Sequence, residues 1–383
     1  MTALSSRDLA TRGAAATWPE IRQQPEVWRE VARIVQGESA GLSGFLEPLL
    51  ALPDLRIVLT GAGTSAFAGQ VLAPALARVL GRRVEAVATT DIVASPREVF
   101  AEDVPTLLVS FARSGDSPES VAAARLASQC LRSVFQLVIT CNPDGRLAAD
   151  HADASSSYVL LMPPAANDRG FAMTSSFTSM LLAAWLALVP AQQATPLVER
   201  LAAAAEAILA DAELVEALAG RGYNRVVYLG SGVLAGLARE SALKLLELTA
   251  GGVVSYYDTA LGFRHGPKAV LREGTLVVVY LSNDPYTRRY DEDIAAELRQ
   301  SLGPENVLVV TGRETEAAAG VGAWRVGGLD DIDDVVLALP FVVIAQLVAL
   351  RFSLELGRTP DNPFPDGEVN RVVQGVTVHP LPA

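Results

Sequence analysis

One local pattern occurs twice in this chain, and it restricts the possible folds more than any other feature. Residues 56–70 read RIVLTGAGTSAFAGQ, and residues 225–242 read RVVYLGSGVLAGLARESA. Each copy opens with Arg and a β-branched apolar run, turns through Gly-x-Gly, and continues as a helix-forming stretch. The match sets Gly61 opposite Gly230. Each copy then spans close to half of the 383 residues, which predicts two similar α/β domains in tandem.

Further apolar runs have the length and composition of buried parallel strands. They are Arg83–Ala88, Thr106–Ser110, Phe135–Thr140 and Tyr158–Met162 in the first half, and Val253–Tyr256, Leu276–Leu281, Asn306–Val310 and Ala323–Val326 in the second. Their alternation with helical stretches predicts doubly wound sheets. The boundaries read as a helical segment over 1–50, a first domain over 51–195, an Ala-rich connecting helix over 196–222, a second domain over 223–358 and a Pro- and Gly-rich tail over 359–383. Met180–Val189 and Val335–Leu350 read as buried helices. The first is too short to cross a bilayer, and the second is interrupted by Pro340 and Gln346.

The formal net charge of −12 argues against nucleic acid or an anionic membrane as partner. An anionic ligand must therefore be gripped locally. The opening MTALSSRDLA has no apolar core, and Cys130 and Cys141 fit neither a disulfide framework nor a metal spacing. A cytoplasmic setting with reduced thiols is expected.

Two turns of the first half belong beyond the carboxyl ends of strands, where open α/β sheets bind ligands. They are GAGTS at 61–65 and FARSGDSPES at 111–120. Ser114, Asp116, Ser117 and Ser120 crowd a helix start, with Pro118 in its first turn. Small hydroxyls and helix N–H groups form a cradle for a phosphate, to which Arg113 adds charge. The same residue types also serve as ordinary helix caps. GAGTS is neither a dinucleotide fingerprint nor a Walker loop, since the third glycine, the following acid and the lysine of those patterns are missing.

Only two of the 31 basic residues are lysines, Lys244 and Lys268. They stand near Glu240, Glu247 and His265, one of three histidines. Arginine cannot imitate a compact ammonium, which marks 240–268 as a candidate chemical centre. Glu240, Lys244 and Glu247 fall at i, i+4 and i+7, on one face of a helix. Such a stripe is usually solvated. Here the intervening residues are Ser, Ala and Leu, so the charges must be paired in the interior or face a cavity. His265 lies in the turn-prone GFRHGPK, while His151 and His379 read as structural. A carboxylate and an imidazole near a phosphate cradle suit proton transfer on a sugar phosphate. No His pair or thiolate cluster stands at ligand spacing, so neither a metal nor another cofactor is expected.

Taken together, these segments resemble the sugar isomerase (SIS) domain family, and in particular the bacterial galactosamine-6-phosphate deaminase/tagatose-6-phosphate ketose–aldose isomerase group. The resemblance rests on TGAGTSAF, SFARSGDSPESVAA, DRGFAMTSSFTSM, YLGSG, ARESALKLLELTAG, GFRHGPK and VNRVVQGVTVHP, and runs from about residue 55 onward. It implies two flavodoxin-like SIS domains, each a five-stranded parallel sheet flanked by helices. It also implies a hexose 6-phosphate substrate and proton transfer between carbons 1 and 2. By the same resemblance Gly63, Thr64 and Ser65 contact the sugar, Arg113, Ser114, Gly115, Asp116 and Ser117 grip the phosphate, and Thr174 and Ser175 lie near the sugar. Glu247 transfers the proton and His265 assists ring opening, while Lys244 is a candidate substrate-binding residue. The resemblance further implies a homodimer with shared active sites and a tail that closes over them.

Two positions depart from the related isomerase part of glucosamine-6-phosphate synthase. Gln374 stands where that relative has a tail lysine, which leaves Lys268 as a candidate for its role. Ala112 replaces the first hydroxyl of the phosphate turn. The first fifty residues are too few for a glutamine-hydrolysing domain, so a glutamine-dependent synthase is not expected. The leading expectation is deamination of galactosamine 6-phosphate to tagatose 6-phosphate. Simple ketose–aldose isomerisation and a non-catalytic phosphosugar sensor are the alternatives.

Overall fold

The structure is a computed structural model describing residues 6–189, 194–211, 213–315, 322–373 and 375–382. The chain forms two compact units. The first contains residues 26–168, 175–195 and 366–383. Its sheet consists of β1 (Arg56–Thr60), β2 (Val84–Ala86), β3 (Thr106–Ala112), β4 (Val134–Thr140) and β5 (Ser157–Leu161). All neighbours are parallel and the order is β2-β1-β3-β4-β5. β1 and β3 are buried along their whole length, as β-branched central strands covered on both faces must be. The helix Ser175–Leu188 is almost wholly buried, and the indole of Trp28 donates to Thr178 Oγ1 at 2.9 Å.

The second unit contains residues 1–25, 169–174 and 196–365. Its strands are β6 (Arg225–Gly230), β7 (Val254–Asp258), β8 (Thr275–Tyr280), β9 (Val307–Thr311) and β10 (Ala323–Arg325), in the order β10-β9-β8-β6-β7. Read from the other edge this is the topology of the first sheet. The repeat extends to register. Arg56 pairs with Thr106 in one sheet and Arg225 with Thr275 in the other. Each matched pair is 169 residues apart (225 less 56, 275 less 106). The helices after these strands keep the same spacing, starting at Thr64 and Val233 and at Pro118 and Thr287. The predicted fold is therefore the observed one.

Three boundary expectations need correction. The N-terminal segment 1–50 is not one body: Thr17 and Glu20 hydrogen-bond within the second unit, whereas Trp28 and Glu38 do so within the first. The connecting helix expected over 196–222 consists of Ala194–Ala210 and Glu213–Ala219, the latter tied to Arg351 through Glu216 at 2.5 Å. The tail divides as well, residues 359–365 belonging with the second unit and 366–383 with the first. Helix Asp334–Glu355 continues through Pro340. It is long and apolar enough to cross a membrane, yet 94% of its apolar window is buried, which makes it a core helix. The hydrogen bond lost at Pro340 is offset by that packing.

Candidate active site

The order reverses between β1 and β3, and in such sheets this switch point opens the ligand crevice. Both predicted turns of the first unit flank it. Gly63 has φ 55° and ψ −128°, a conformation open to glycine, and leads into helix Thr64–Leu80 with Thr64 and Ser65 buried. After β3, Ser117 precedes helix Pro118–Cys130 and makes no side-chain capping bond. The hydroxyl is thus not consumed as an ordinary cap. The helix N-terminus also carries partial positive charge suited to an anion.

The turn over residues 113–117 is fastened by three hydrogen bonds. Asn142 Nδ2 donates to the Ser114 carbonyl at 2.8 Å, Leu147 N to the Gly115 carbonyl at 3.0 Å, and Arg146 N to Asp116 Oδ1 at 3.0 Å. Asp116 is therefore a fastening residue, while Ser114 and Ser117 stay half-buried at the turn. Arg113 is buried, and its Nη2 donates to the Arg371 carbonyl at 2.9 Å. Arg371 in turn donates to the Asp168 carbonyl. The tail is thus tied to the 113–117 turn within the same unit. Further along, Arg97 holds the Pro382 carbonyl and Leu381 packs into the cluster around Phe100. Gln374 lies outside the described residues.

Two acids near the MTSS segment were not singled out from the sequence. Buried Asp168 accepts from Ser175 N at 3.1 Å, Ser176 N at 2.9 Å and Ser176 Oγ at 2.5 Å, so it caps the helix carrying Ser175 from seven residues upstream. The usual capping spacing is too short to reveal it. In the second unit, Glu20 accepts from Arg169 N at 2.6 Å and Gly170 N at 3.1 Å. That unit also holds Thr174, which is fully buried.

The charged row of the second unit is arranged as its spacing predicts. Helix Val233–Leu248 places Glu240 and Lys244 in the interior, each 0% exposed, with Glu247 at the edge, its side chain 24% exposed. Lys244 Nζ lies 3.4 Å from Glu240 and 2.6 Å from Glu247. A buried ammonium between two carboxylates fixes their rotamers, because leaving any of the three unpaired is costly. Glu247 is the member that reaches solvent, aligned by a group that cannot move away. His265 stands exposed in the same unit, on a turn anchored by fully buried Phe263. Lys268 is differently placed: its ammonium and Arg264 both pair with Glu297, which lowers the carboxyl pKa of Glu297. Among the described residues no group of three His, Cys, Asp or Glu side chains could hold a metal ion.

The chain is similar to several known proteins. The SIS domain profile matches residues 50–190 and 221–320. A Streptomyces coelicolor relative, provisionally named D-galactosamine-6-phosphate deaminase, is 61% identical over 371 residues, covering 96% of both chains. An Escherichia coli relative named D-galactosamine-6-phosphate deaminase is 44% identical over 97% of each chain. The crystal structure of tagatose-6-phosphate ketose/aldose isomerase from Escherichia coli is 42% identical, with a TM-score of 0.88 over 96% of this chain and 97% of that one.

Proposed function

The chain belongs to the SIS domain family, and on that premise we propose that it is a sugar-phosphate isomerase/deaminase converting galactosamine 6-phosphate to tagatose 6-phosphate and ammonia. The observation that carries the reading is the Glu240–Lys244–Glu247 row, in which buried Lys244 presents Glu247 at the surface. Such a carboxylate is a positioned proton carrier.

The chemistry balances with these groups alone. His265 moves a proton between the ring oxygen and the carbon 1 hydroxyl, opening the sugar to its aldehyde. Glu247 removes the proton from carbon 2 and returns it to carbon 1, while the oxygen on carbon 1 gains the proton that the amine nitrogen gives up. The nitrogen is left doubly bonded to carbon 2, water adds there, and ammonia departs to leave the ketose. We assign the phosphate to Arg113, Ser114, Gly115 and Ser117, and the sugar to Gly63, Thr64, Ser65 and Ser175. Lys268 receives no proton-transfer step, since its ammonium is engaged by Glu297. The Escherichia coli isomerase structure supports a second reading, ketose–aldose exchange of tagatose 6-phosphate, which uses the same transfer without loss of nitrogen. Ammonia assayed with galactosamine 6-phosphate, against sugar interconversion with tagatose 6-phosphate, separates the two.

We also propose a homodimer with shared sites. Leu246, Val254, Tyr257 and Leu261 are 45%, 49%, 38% and 47% exposed, beside Glu247, on β7 and beside the His265 turn. Exposed large apolar side chains next in sequence to reactive groups fit coverage by a second copy. Coexpressed Glu247→Gln and His265→Asn chains, each inactive alone, should recover about a quarter of wild-type activity if His265 serves the neighbouring site. No recovery would place His265 in its own subunit's site.

A further inference from the structure

The second sheet has the same switch point, between β6 and β8, and the same backbone there. Gly232 has φ 56° and ψ −124°, against 55° and −128° at Gly63. This crevice nevertheless contains side chains of its own. Asp291 is fully buried. One carboxylate oxygen accepts from Ser231 Oγ, in the turn after β6, at 2.5 Å. The other accepts from Ser282 N, in the turn after β8, at 3.0 Å. Asp334 takes the adjacent donors, Asn283 N at 2.7 Å and the Ser282 hydroxyl. Arg288 closes the cluster through the Ser282 carbonyl and Thr311 Oγ1, both at 3.0 Å.

The 169-residue spacing gives the counterpart of each group in the first unit. Ser282 and Asn283 correspond to Arg113 and Ser114 of the phosphate turn, and Asp291 corresponds to Ala122. Both Asp291 and Ala122 are the fifth residue of their helix. A carboxylate spans two backbone turns where the other crevice has a methyl. Side chains on a helix tilt toward its N-terminus, which carries Asp291 back to those turns.

We propose that the crevice of the second sheet is an anion site filled by the chain's own carboxylate: Asp291 acts as a built-in anion, fixes Ser231 at the start of the helix carrying Glu247, and leaves substrate phosphate to the first crevice. The structural part is independent of the catalytic assignment, whereas the effect on Glu247 rests on it.

The test is chemical rescue in the full-length chain. Asp291→Ala is melted in sodium chloride and in rising sodium formate at constant ionic strength, beside wild type and Leu298→Ala, a core deletion in the same helix. The variant should melt below wild type and regain at least half the lost temperature along a saturating formate curve, with neither control doing so. A formate response no larger than that of Leu298→Ala overturns the proposal. Should Asp291→Ala not fold in chloride, refolding yield replaces melting: a formate-dependent rise supports the built-in anion and its absence overturns it. For positioning, Asp291→Asn should lower kcat several-fold with KM nearly unchanged, and an unchanged kcat removes the link to Glu247.

Discussion

The two halves begin from one design and assign their chemistry to different places on it. Where helix Thr64–Leu80 starts with Thr64 and Ser65, helix Val233–Leu248 starts with Val233 and Leu234. Where the second helix carries Glu240, Lys244 and Glu247, the first carries Val71, Ala75 and Arg78 at the same spacing. Hydroxyls gather at the helix start in the half where Ala122 stands at the position of Asp291. Charges gather in mid-helix in the half whose crevice is filled by Asp291. The crevice of the second half carries a carboxylate of its own. The polar groups of that crevice must then be satisfied internally, because buried donors without acceptors cost free energy.

The largest effect is expected at Lys244. Lys244→Ala leaves Glu240 buried without its cation and should destabilise the second unit by about 3–5 kcal/mol, measured by denaturant unfolding. Glu240→Gln combined with Lys244→Met should recover part of that loss; full stability of the single variant would break the contrast between the two helices. Next comes conversion of one crevice into the other. Ala122→Asp puts a carboxylate at the Asp291 position of the first half and should raise KM for the sugar phosphate about 100-fold, a change of about 2.7 kcal/mol, in protein shown by its melting to be folded. An unchanged KM would mean the crevices are not comparable.

A third effect concerns pH. Burial, chiefly, raises the Asp291 carboxyl to about 6, opposed by the Ser231 and Ser282 hydrogen bonds and by Arg288, and assisted by Asp334. Folding thus favours the protonated form below that value, and Asp291 is the built-in anion above about pH 6, where the formate rescue is to be read. The stabilisation of the protonated form is complete below the ordinary carboxylate range and is lost as pH rises through about 6. Asp291→Asn removes this dependence. The melting difference, variant minus wild type, should move in the variant's favour between about pH 4 and pH 7, by up to roughly 3 kcal/mol, and level off above. A pH-independent difference would show that Asp291 does not titrate there.

The duplicated Gly-x-Gly turns made the tandem fold legible, and the strand runs placed the sheets within a few residues. The apolar context of SALKLLELTA made the buried Lys244 legible, because a charge flanked by Leu and Ala on a helix has few other solutions. What stayed hidden depends on contacts between distant segments. Asp168 caps Ser175 and Ser176 from outside the helix, Arg371 reaches the Asp168 carbonyl from the tail, and Asp291 looks in sequence like another acid in TRRYDEDIAAEL. Periodicity reports which face a residue occupies and not which distant donor it meets. For the same reason, residues 1–50 read as one helical segment although their partners lie in two units.

The proton-carrying role proposed for Glu247 is tested by ammonia release from galactosamine 6-phosphate by Glu247→Gln beside wild type, with substrate affinity determined by calorimetry. A loss in kcat of about 1,000-fold is expected, with affinity nearly retained. Ammonia release by the variant at close to the wild-type rate would contradict it.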